Sequence, residues 1–372
     1  MKINKYKELV EGLLNKADVQ INGSRAWDIT VHNENLYQRI FSKGSLGLGE
    51  AYIDGWWDCE QLDQLFYRLL RADLDKHSKT WHFALQFAKA RLLNLQERSK
   101  AFEVGEKHYD IGNNLYQRML DRRMTYTCGY WKEAANLDDA QEAKLDLVCK
   151  KIGLKPGMDV LDIGCGWGSF MKFAAEEYSV NCVGVTVSKE QVELGEKMCK
   201  GLPIKFQLKD YREVEGQFDR IVSLGMVEHV GYKNYHTFFQ IASSHLKNDG
   251  LFLLHTIGYP VSTVAGDPWI SKYIFPNGLL PSLKQLTGAM EKLFIMEDLH
   301  NFGADYDKTL MAWYSNFSAH WDDLQNNYSE KFYRMWSYYL LQSAGLFRAR
   351  KCQLWQMVLS KEGVLGGYKP VR

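Results

Sequence analysis

The spacing of apolar positions changes part-way along the chain. Residues 1–100 are mixed. Lys5–Lys16 predicts a helix, and short segments follow it. His77–Arg98 brings Trp81, Ala84, Leu85, Ala88, Leu92 and Leu95 onto one helical face, with Lys89, Arg91 and Arg98 on a basic side. That pattern suits a core helix or a helix lying on a membrane surface. Between these stretches, Gly44–Asp58 (GSLGLGEAYIDGWWD) is dense in glycine and tryptophan. It has no Lys-Ser/Thr ending and no strong strand before it, so turns with aromatic packing are expected rather than a phosphate loop. From Ala140 the pattern becomes an α/β alternation. Strands are predicted at Asp159–Ile163, Val183–Val187, Ile204–Leu208, Arg220–Ser223 and Leu251–Ile257. Helices are predicted between them, around Met171–Tyr178, Ser188–Cys199 and Tyr235–Leu246. Strands alternating with helices of this length imply a mostly parallel, doubly wound sheet. Tyr259–Leu286, with its Pro, Gly and Trp, breaks the alternation and reads as an insertion over the mouth of a site.

The chain has 372 residues and 46% apolar content, enough for one large or two medium cores. The expected division is an N-terminal domain over residues 1–100, a linker at 101–107 overlapping the polar stretch Glu97–Glu106, and a catalytic domain over 108–372. The net charge of +1 offers no global field for a nucleic acid. Two local tracts are basic. Lys76–Lys100 has six Lys/Arg against Glu97, and Lys331–Arg372 has eight against Glu362. They suit either solvated faces or contacts to an anionic lipid surface. The seven cysteines are scattered, with no C-x-x-C and no zinc spacing, which predicts a reduced, cytoplasmic protein without a metal site. MKINKYKELVEGLL has no apolar signal-peptide core, and no run approaches a membrane span.

The chemistry centres on VLDIGCGWGSF. Here a strand runs into Gly164-x-Gly166-x-Gly168 and then a helix. The glycines let the backbone turn sharply and approach a ligand. With Asp162 before the first glycine, the segment resembles motif I of class I S-adenosylmethionine methyltransferases. The resemblance implies that the loop holds the methionine part of S-adenosyl-L-methionine. NAD is the competing ligand, but the acid expected at the end of the second strand is replaced by Val185-Thr186-Val187. Gln191 is a candidate for the ribose hydroxyls, although Ser188 and Gln191 also have the spacing of a capping box. Asp210, Tyr211 and Arg212 follow the next strand, where an acid can accept the adenine amino hydrogens.

Six segments, the glycine loop among them, occur in order: GEKHYDIGNNLY (Gly105–Tyr116), MTYTCGYW (Met124–Trp131), VLDIGCGWG, MVEHVG (Met226–Gly231), LLHTIG (Leu253–Gly258) and NFGADYDKTLMAWY (Asn301–Tyr314). Together they resemble the cyclopropane-fatty-acyl-phospholipid synthases, relatives of the mycolic acid cyclopropane synthases, over nearly the whole chain. The resemblance implies a class I methyltransferase fold with added lid helices and a smaller N-terminal domain. It implies methylene transfer from S-adenosylmethionine to a cis double bond in a phospholipid acyl chain, with bound bicarbonate as base. The residues matching the bicarbonate pocket are Cys128, Glu228, His255, Ile257 and Tyr306; Tyr126 and Thr127 match cofactor contacts. Each also has a plain reading: His255 as a core histidine, Cys128 as a small buried hydrophobe. The implied partner is a phospholipid surface at the inner face of the cell membrane, with the N-terminal domain presenting lipid and making homodimer contacts. Methyl transfer without ring closure, or an inactive lipid-binding relative, are the competing outcomes. A nucleophilic cysteine is not expected: YYLLQSAGLFRAR carries Ser343 and no thiol, and Cys352 has no neighbouring base.

Overall fold

The computed structural model describes residues 2–73 and 112–372. The helix expected at His77–Arg98 and the linker at 101–107 lie outside the described residues. Chain contacts divide into two compact units. One gathers the N-terminal residues with 265–276 and 306–352; the other contains 112–264, 277–305 and 353–372.

The second unit is built on a seven-stranded sheet. Its strands are β1 (Asp159–Ile163), β2 (Asn181–Thr186), β3 (Ile204–Leu208), β4 (Phe218–Leu224), β5 (Leu246–Gly258), β6 (Ile295–Asn301) and β7 (Gln353–Ser360). The order across the sheet is β3-β2-β1-β4-β5-β7-β6. Pairings from β3 to β5 are parallel, and β7 runs antiparallel to both of its neighbours. Strand order reverses at β1, with Leu161 between Val183 and Ile221. A doubly wound sheet binds its ligand outside the carboxyl ends of the strands at such a reversal. One apolar cluster holds Ile163, Ile221, Phe238, Phe252 and Trp355, and another Val148, Val160, Phe170, Met171 and Val222. β5 begins five residues before the expected strand. Its pairing jumps from Phe218↔Leu246 to Arg220↔Leu251, so a bulge absorbs the turn-like segment Lys247–Gly250.

The first unit is helical apart from one short antiparallel pair, Thr30–Val31 with Trp57–Asp58. Lys2–Lys16 forms the expected N-terminal helix. Gly44–Asp58 departs from expectation: Ser45–Ile53 is a helix, not a string of turns. Its glycines serve close packing. A Cβ on Gly47 would stand 2.3 Å from the Arg39 carbonyl oxygen, and one on Gly49 would stand 2.4 Å from the Trp269 indole. Residues 265–276 of the expected insertion belong to this unit and contain the helix Pro268–Tyr273. The long helix Glu330–Arg348 carries buried Trp336, Tyr338 and Leu340. It approaches the helix Leu62–Arg71 closely, and a Cβ on Gly345 would stand 2.8 Å from the Asp63 carbonyl oxygen.

The C-terminal basic tract is largely neutralised by aspartates remote in sequence. Lys331 pairs with Asp54 at 2.9 Å and Arg334 with Asp58 at 2.6 Å. Arg348 grips Asp307 through two nitrogens, each at 2.9 Å, and also binds Asp63. Lys351 binds Asp73, and within the sheet unit Arg372 binds Asp298 at 2.6 Å. These five side chains hold the fold together rather than form a free cationic face. Among the described residues, no helix is long and apolar enough to cross a membrane, and no acidic or Cys/His cluster suits a metal ion.

Candidate active site

The site starts where β1 ends. Gly164, Gly166 and Gly168 have φ of 84°, 56° and 86°. A Cβ on Gly164 would stand 2.6 Å from Met226 Cγ, and one on Gly168 2.5 Å from Phe206 Cζ. The loop therefore needs glycine for left-handed backbone and for close approach. Its N–H groups at Gly164 and Cys165 both donate to the Val185 carbonyl, at 2.9 and 3.1 Å, which pins the loop to the end of β2.

A pocket opens over this loop, lined by Tyr126, Thr127, Asp162, Gly164 and Gly166. The loops after β2 and β3 complete the wall with Thr186, Val187, Gln191, Asp210, Tyr211 and Arg212. Gly168 does not line it; that glycine packs the following helix, Ser169–Tyr178, against Phe206. The helix Asn113–Met119 braces one side. Its Tyr116 ring meets Tyr126 at 5.2 Å and Trp167 at 4.9 Å, and Asn113 Oδ1 accepts from Trp167 Nε1 at 2.9 Å. Ser188 Oγ accepts the Gln191 N–H at 3.3 Å, but the other half of a capping box is not made. Gln191 Oε1 instead accepts from Thr186 Oγ1 at 2.8 Å, which leaves the amide nitrogen for the pocket. Asp210 Oδ1 accepts the Arg212 N–H at 2.9 Å, and a carboxylate with that bond retains acceptor capacity.

A second set of polar groups is buried at the ends of β4 and β5. The one-turn helix Val227–His229 follows β4. Glu228 Oε1 accepts the Ile257 N–H at 2.8 Å, so that backbone donor is engaged within the chain. Glu228 Oε2 is buried with no hydrogen-bond partner. Burial pushes the Glu228 carboxyl up to about 7, against the lowering effect of the Ile257 N–H. His255 pairs with Leu224 across the sheet, and its carbonyl accepts the Gly225 N–H at 2.9 Å. Gln356 Nε2 lies 3.2 Å from His255 Nδ1, and with the amide nitrogen donating, the ring proton sits on Nε2. That Nε2 is buried and unpartnered. Burial, helped by the charges of Lys144 and Lys151, holds His255 well below the usual histidine range and keeps it neutral. Burial also pushes His229, on the pocket wall, down to about 4.

Cys128 is fully buried, and its thiol donates to the Gly129 carbonyl at 3.2 Å. Tyr306 belongs to the helical unit, in the helix Ala304–Ala319, where its ring packs on Phe347 at 4.5 Å and Trp313 at 6.0 Å.

Two residues that hold the pocket residue Thr127 escaped the sequence reading. Gln141 and Lys144 lie on the inward stripe of the helix Leu137–Lys151, and both are fully buried. Gln141 Nε2 donates to the Thr127 carbonyl at 2.7 Å, and Lys144 Nζ donates to Thr127 Oγ1 at 2.9 Å. Burial pushes Asp162 up to about 7 and Lys144 down to about 8, while the charges of the two groups oppose those shifts. Their signal was present in sequence: a glutamine and a lysine one turn apart, in phase with Leu145 and Val148.

Comparison with known proteins places this arrangement. A family profile described as mycolic acid cyclopropane synthetase matches residues 96–357. The chain belongs to that family. Its members similar to this chain include the cyclopropane-fatty-acyl-phospholipid synthase of Escherichia coli K12, 52% identical over 99% of this chain and 96% of the relative. A probable fatty acid methyltransferase of Pseudomonas putida is 38% identical over 68% of each chain. Among solved structures, a mycolic acid cyclopropane synthase complexed with SAH and CTAB superposes with a TM-score of 0.65. It shares 32% identity and is covered over 69% of this chain and 97% of its own.

Proposed function

We infer that this chain is an S-adenosylmethionine-dependent transferase that converts cis double bonds of unsaturated acyl chains into cyclopropane rings. The observation that carries this reading is the match to the Escherichia coli synthase along 99% of the chain. Its extent takes in the N-terminal unit as well as the sheet.

The reaction sets the demands on the pocket. The alkene attacks the sulfonium methyl, the C–S bond breaks, and S-adenosylhomocysteine leaves as a neutral thioether. The cationic carbon left behind closes a ring when the new methyl gives up a proton. An alkene is a weak nucleophile, so sulfonium and double bond must be held in line. The Gly164–Gly168 loop, Gln191 and Asp210 are proposed to hold the cofactor for that alignment. Water must be kept from the cation, and the Tyr116–Tyr126–Trp167 cluster supplies apolar and aromatic wall on one side.

A base must take the methyl proton. Bicarbonate bound near Glu228 and His255 would supply it, as the resemblance implies. Two orphaned buried atoms suit such an ion: the neutral His255 Nε2–H as donor, and Glu228 Oε2, which donates to the ion while the carboxyl holds its proton and accepts the ion's hydroxyl once it has released it. Glu228 also orients the 255–257 backbone through Ile257 N–H. For Ile257 the proposal is confined to this backbone role, and the parts proposed for Cys128 and Tyr306 rest on the resemblance. The substrate is proposed to be presented at a phospholipid surface on the cytoplasmic side, by a homodimer whose N-terminal unit contributes lipid contacts.

Purified protein with labelled S-adenosylmethionine and vesicles of cis-unsaturated phospholipid should give labelled lipid, and saturated vesicles should not. Removing carbon dioxide should slow the reaction, and added bicarbonate should restore it. Equal labelling of saturated lipid would overturn the alkene reading. A rate indifferent to bicarbonate would overturn the proposed base.

A further inference from the structure

Lys144 is a charged, fully buried side chain on the pocket wall that the proposed chemistry leaves unused. A fully buried ammonium is costly unless it is paired or put to work. Thr127 Oγ1, at 2.9 Å, is its hydrogen-bond acceptor among the described residues, although an ammonium carries three donors. The acids whose charges reach it are Asp121 and Asp162. Asp121 is occupied by its own loop: it accepts the Thr125 N–H at 2.7 Å and the Arg123 N–H at 3.0 Å. Asp162 Oδ1 is buried without a partner.

The geometry also fixes the polarity of Thr127. Lys144 can only donate, so Thr127 Oγ1 must accept, and the hydroxyl hydrogen is directed elsewhere. Gln141 holds the Thr127 carbonyl at 2.7 Å from the same face of the same helix, so residue 127 is fixed at both ends. A Cβ on Gly225 would stand 2.7 Å from Thr127 Cγ2, so the methyl side of the residue is packed. This corner of the pocket therefore offers a fixed hydroxyl donor beside a buried positive charge, next in sequence to Cys128. The other cations that line the pocket, Lys209 and Arg212, sit on the loop after β3, two strands away from the glycine loop.

We propose that Lys144 is the charge partner of an oxyanion bound at Thr127, with Thr127 Oγ1–H as the direct donor and Lys144 as the positioning residue behind it. The ligand class is a small carboxylate or carbonate. Two sources fit the reading of the pocket on which this proposal rests: the carboxylate of the S-adenosylmethionine amino acid and free bicarbonate. Asp162 then balances the lysine when the anion is absent.

Lys144→Met, which keeps the length of the side chain and removes its charge, separates the possibilities, with Lys144→Arg as the variant that keeps the charge. Calorimetry with S-adenosylhomocysteine and with 5′-methylthioadenosine, which lacks the amino acid, is the first readout. If the anion is the cofactor carboxylate, Lys144→Met weakens S-adenosylhomocysteine by about 10- to 100-fold and leaves methylthioadenosine unchanged. If it is bicarbonate, both nucleosides bind as before and the bicarbonate concentration giving half-maximal turnover rises by at least about tenfold. In either case Lys144→Arg recovers part of the loss. Equal weakening of both nucleosides means a structural role only, and no change in any readout means no anion; each overturns the proposal. Failure of the unaltered protein to bind S-adenosylhomocysteine would instead overturn the cofactor reading itself.

Discussion

Replacing Glu228 by glutamine should remove activity and yet make the protein more stable at neutral pH. The carboxyl is buried, accepts one N–H from Ile257, and has its second oxygen unpartnered. Burial lifts it from 4.5 to about 7 in the folded chain. Between those values the unfolded chain has released the proton and the folded chain retains it. The native state then binds more protons, so stability falls as pH rises through this window and is level above it. At about 1.4 kcal/mol for each tenfold change, the ceiling of this loss is about 3 kcal/mol. Glutamine keeps an oxygen for Ile257 N–H and does not titrate. The stability of Glu228→Gln relative to the parent should therefore grow by about 2–3 kcal/mol from pH 5 to pH 8, or roughly 5 °C of melting midpoint. Matched calorimetric scans of the two proteins across this range provide the assay. A midpoint difference that stays constant with pH would show that the carboxyl is ionised at neutral pH, and the account of Glu228 as a proton-holding group beside the reaction would fail.

The glycine loop offers a harsher perturbation. Gly168→Ala places a side chain at φ 86° and 2.5 Å from Phe206 Cζ, so it should cost about 2–4 kcal/mol and lower the affinity for S-adenosylhomocysteine; an unchanged midpoint would contradict the packing argument. Arg348→Lys keeps the charge but loses the fork that grips Asp307, and it should lower the melting midpoint by about 1–2 kcal/mol equivalent; full rescue by lysine would contradict the bidentate reading. Cys149 and Cys165 are buried, with thiols pushed well above their usual range, so iodoacetamide at pH 8 should leave both unmodified in the native protein, as read by mass spectrometry. Rapid alkylation of either without unfolding would contradict their burial.

The sheet was largely legible because its strands are short apolar runs bounded by helices of regular period. β1, β2 and β3 lie within a residue or two of expectation, and the reversal point after β1 coincides with the glycine loop. The misreadings have local causes. The expected helix ran on to Leu246 and the expected strand began only at Leu251, whereas the bulge on β5 keeps Leu246 in the ladder. Gly47 and Gly49 looked like turn residues, whereas they let a helix pack closely against its neighbours. A run of like charge also misleads when its partners are remote in sequence: Arg334, Arg348 and Lys351 each meet an aspartate more than 270 residues away in Asp58, Asp63 and Asp73. Lys144 was hidden for a related reason. The local pattern puts this lysine on the buried stripe of its helix, but its place at a pocket wall follows from Thr127 arriving from a different segment.

The most direct test of the central claim counts deuterium. The protein is supplied with S-adenosylmethionine carrying a trideuterated methyl group and with vesicles of cis-monounsaturated phospholipid, and the acyl product is analysed by mass spectrometry. Ring closure by loss of a proton from the new methyl predicts that two deuterons arrive with the added carbon and that the product has no double bond. An added carbon bearing all three deuterons, on a chain that still reduces as an alkene, would mean methyl transfer without ring closure and would contradict the account.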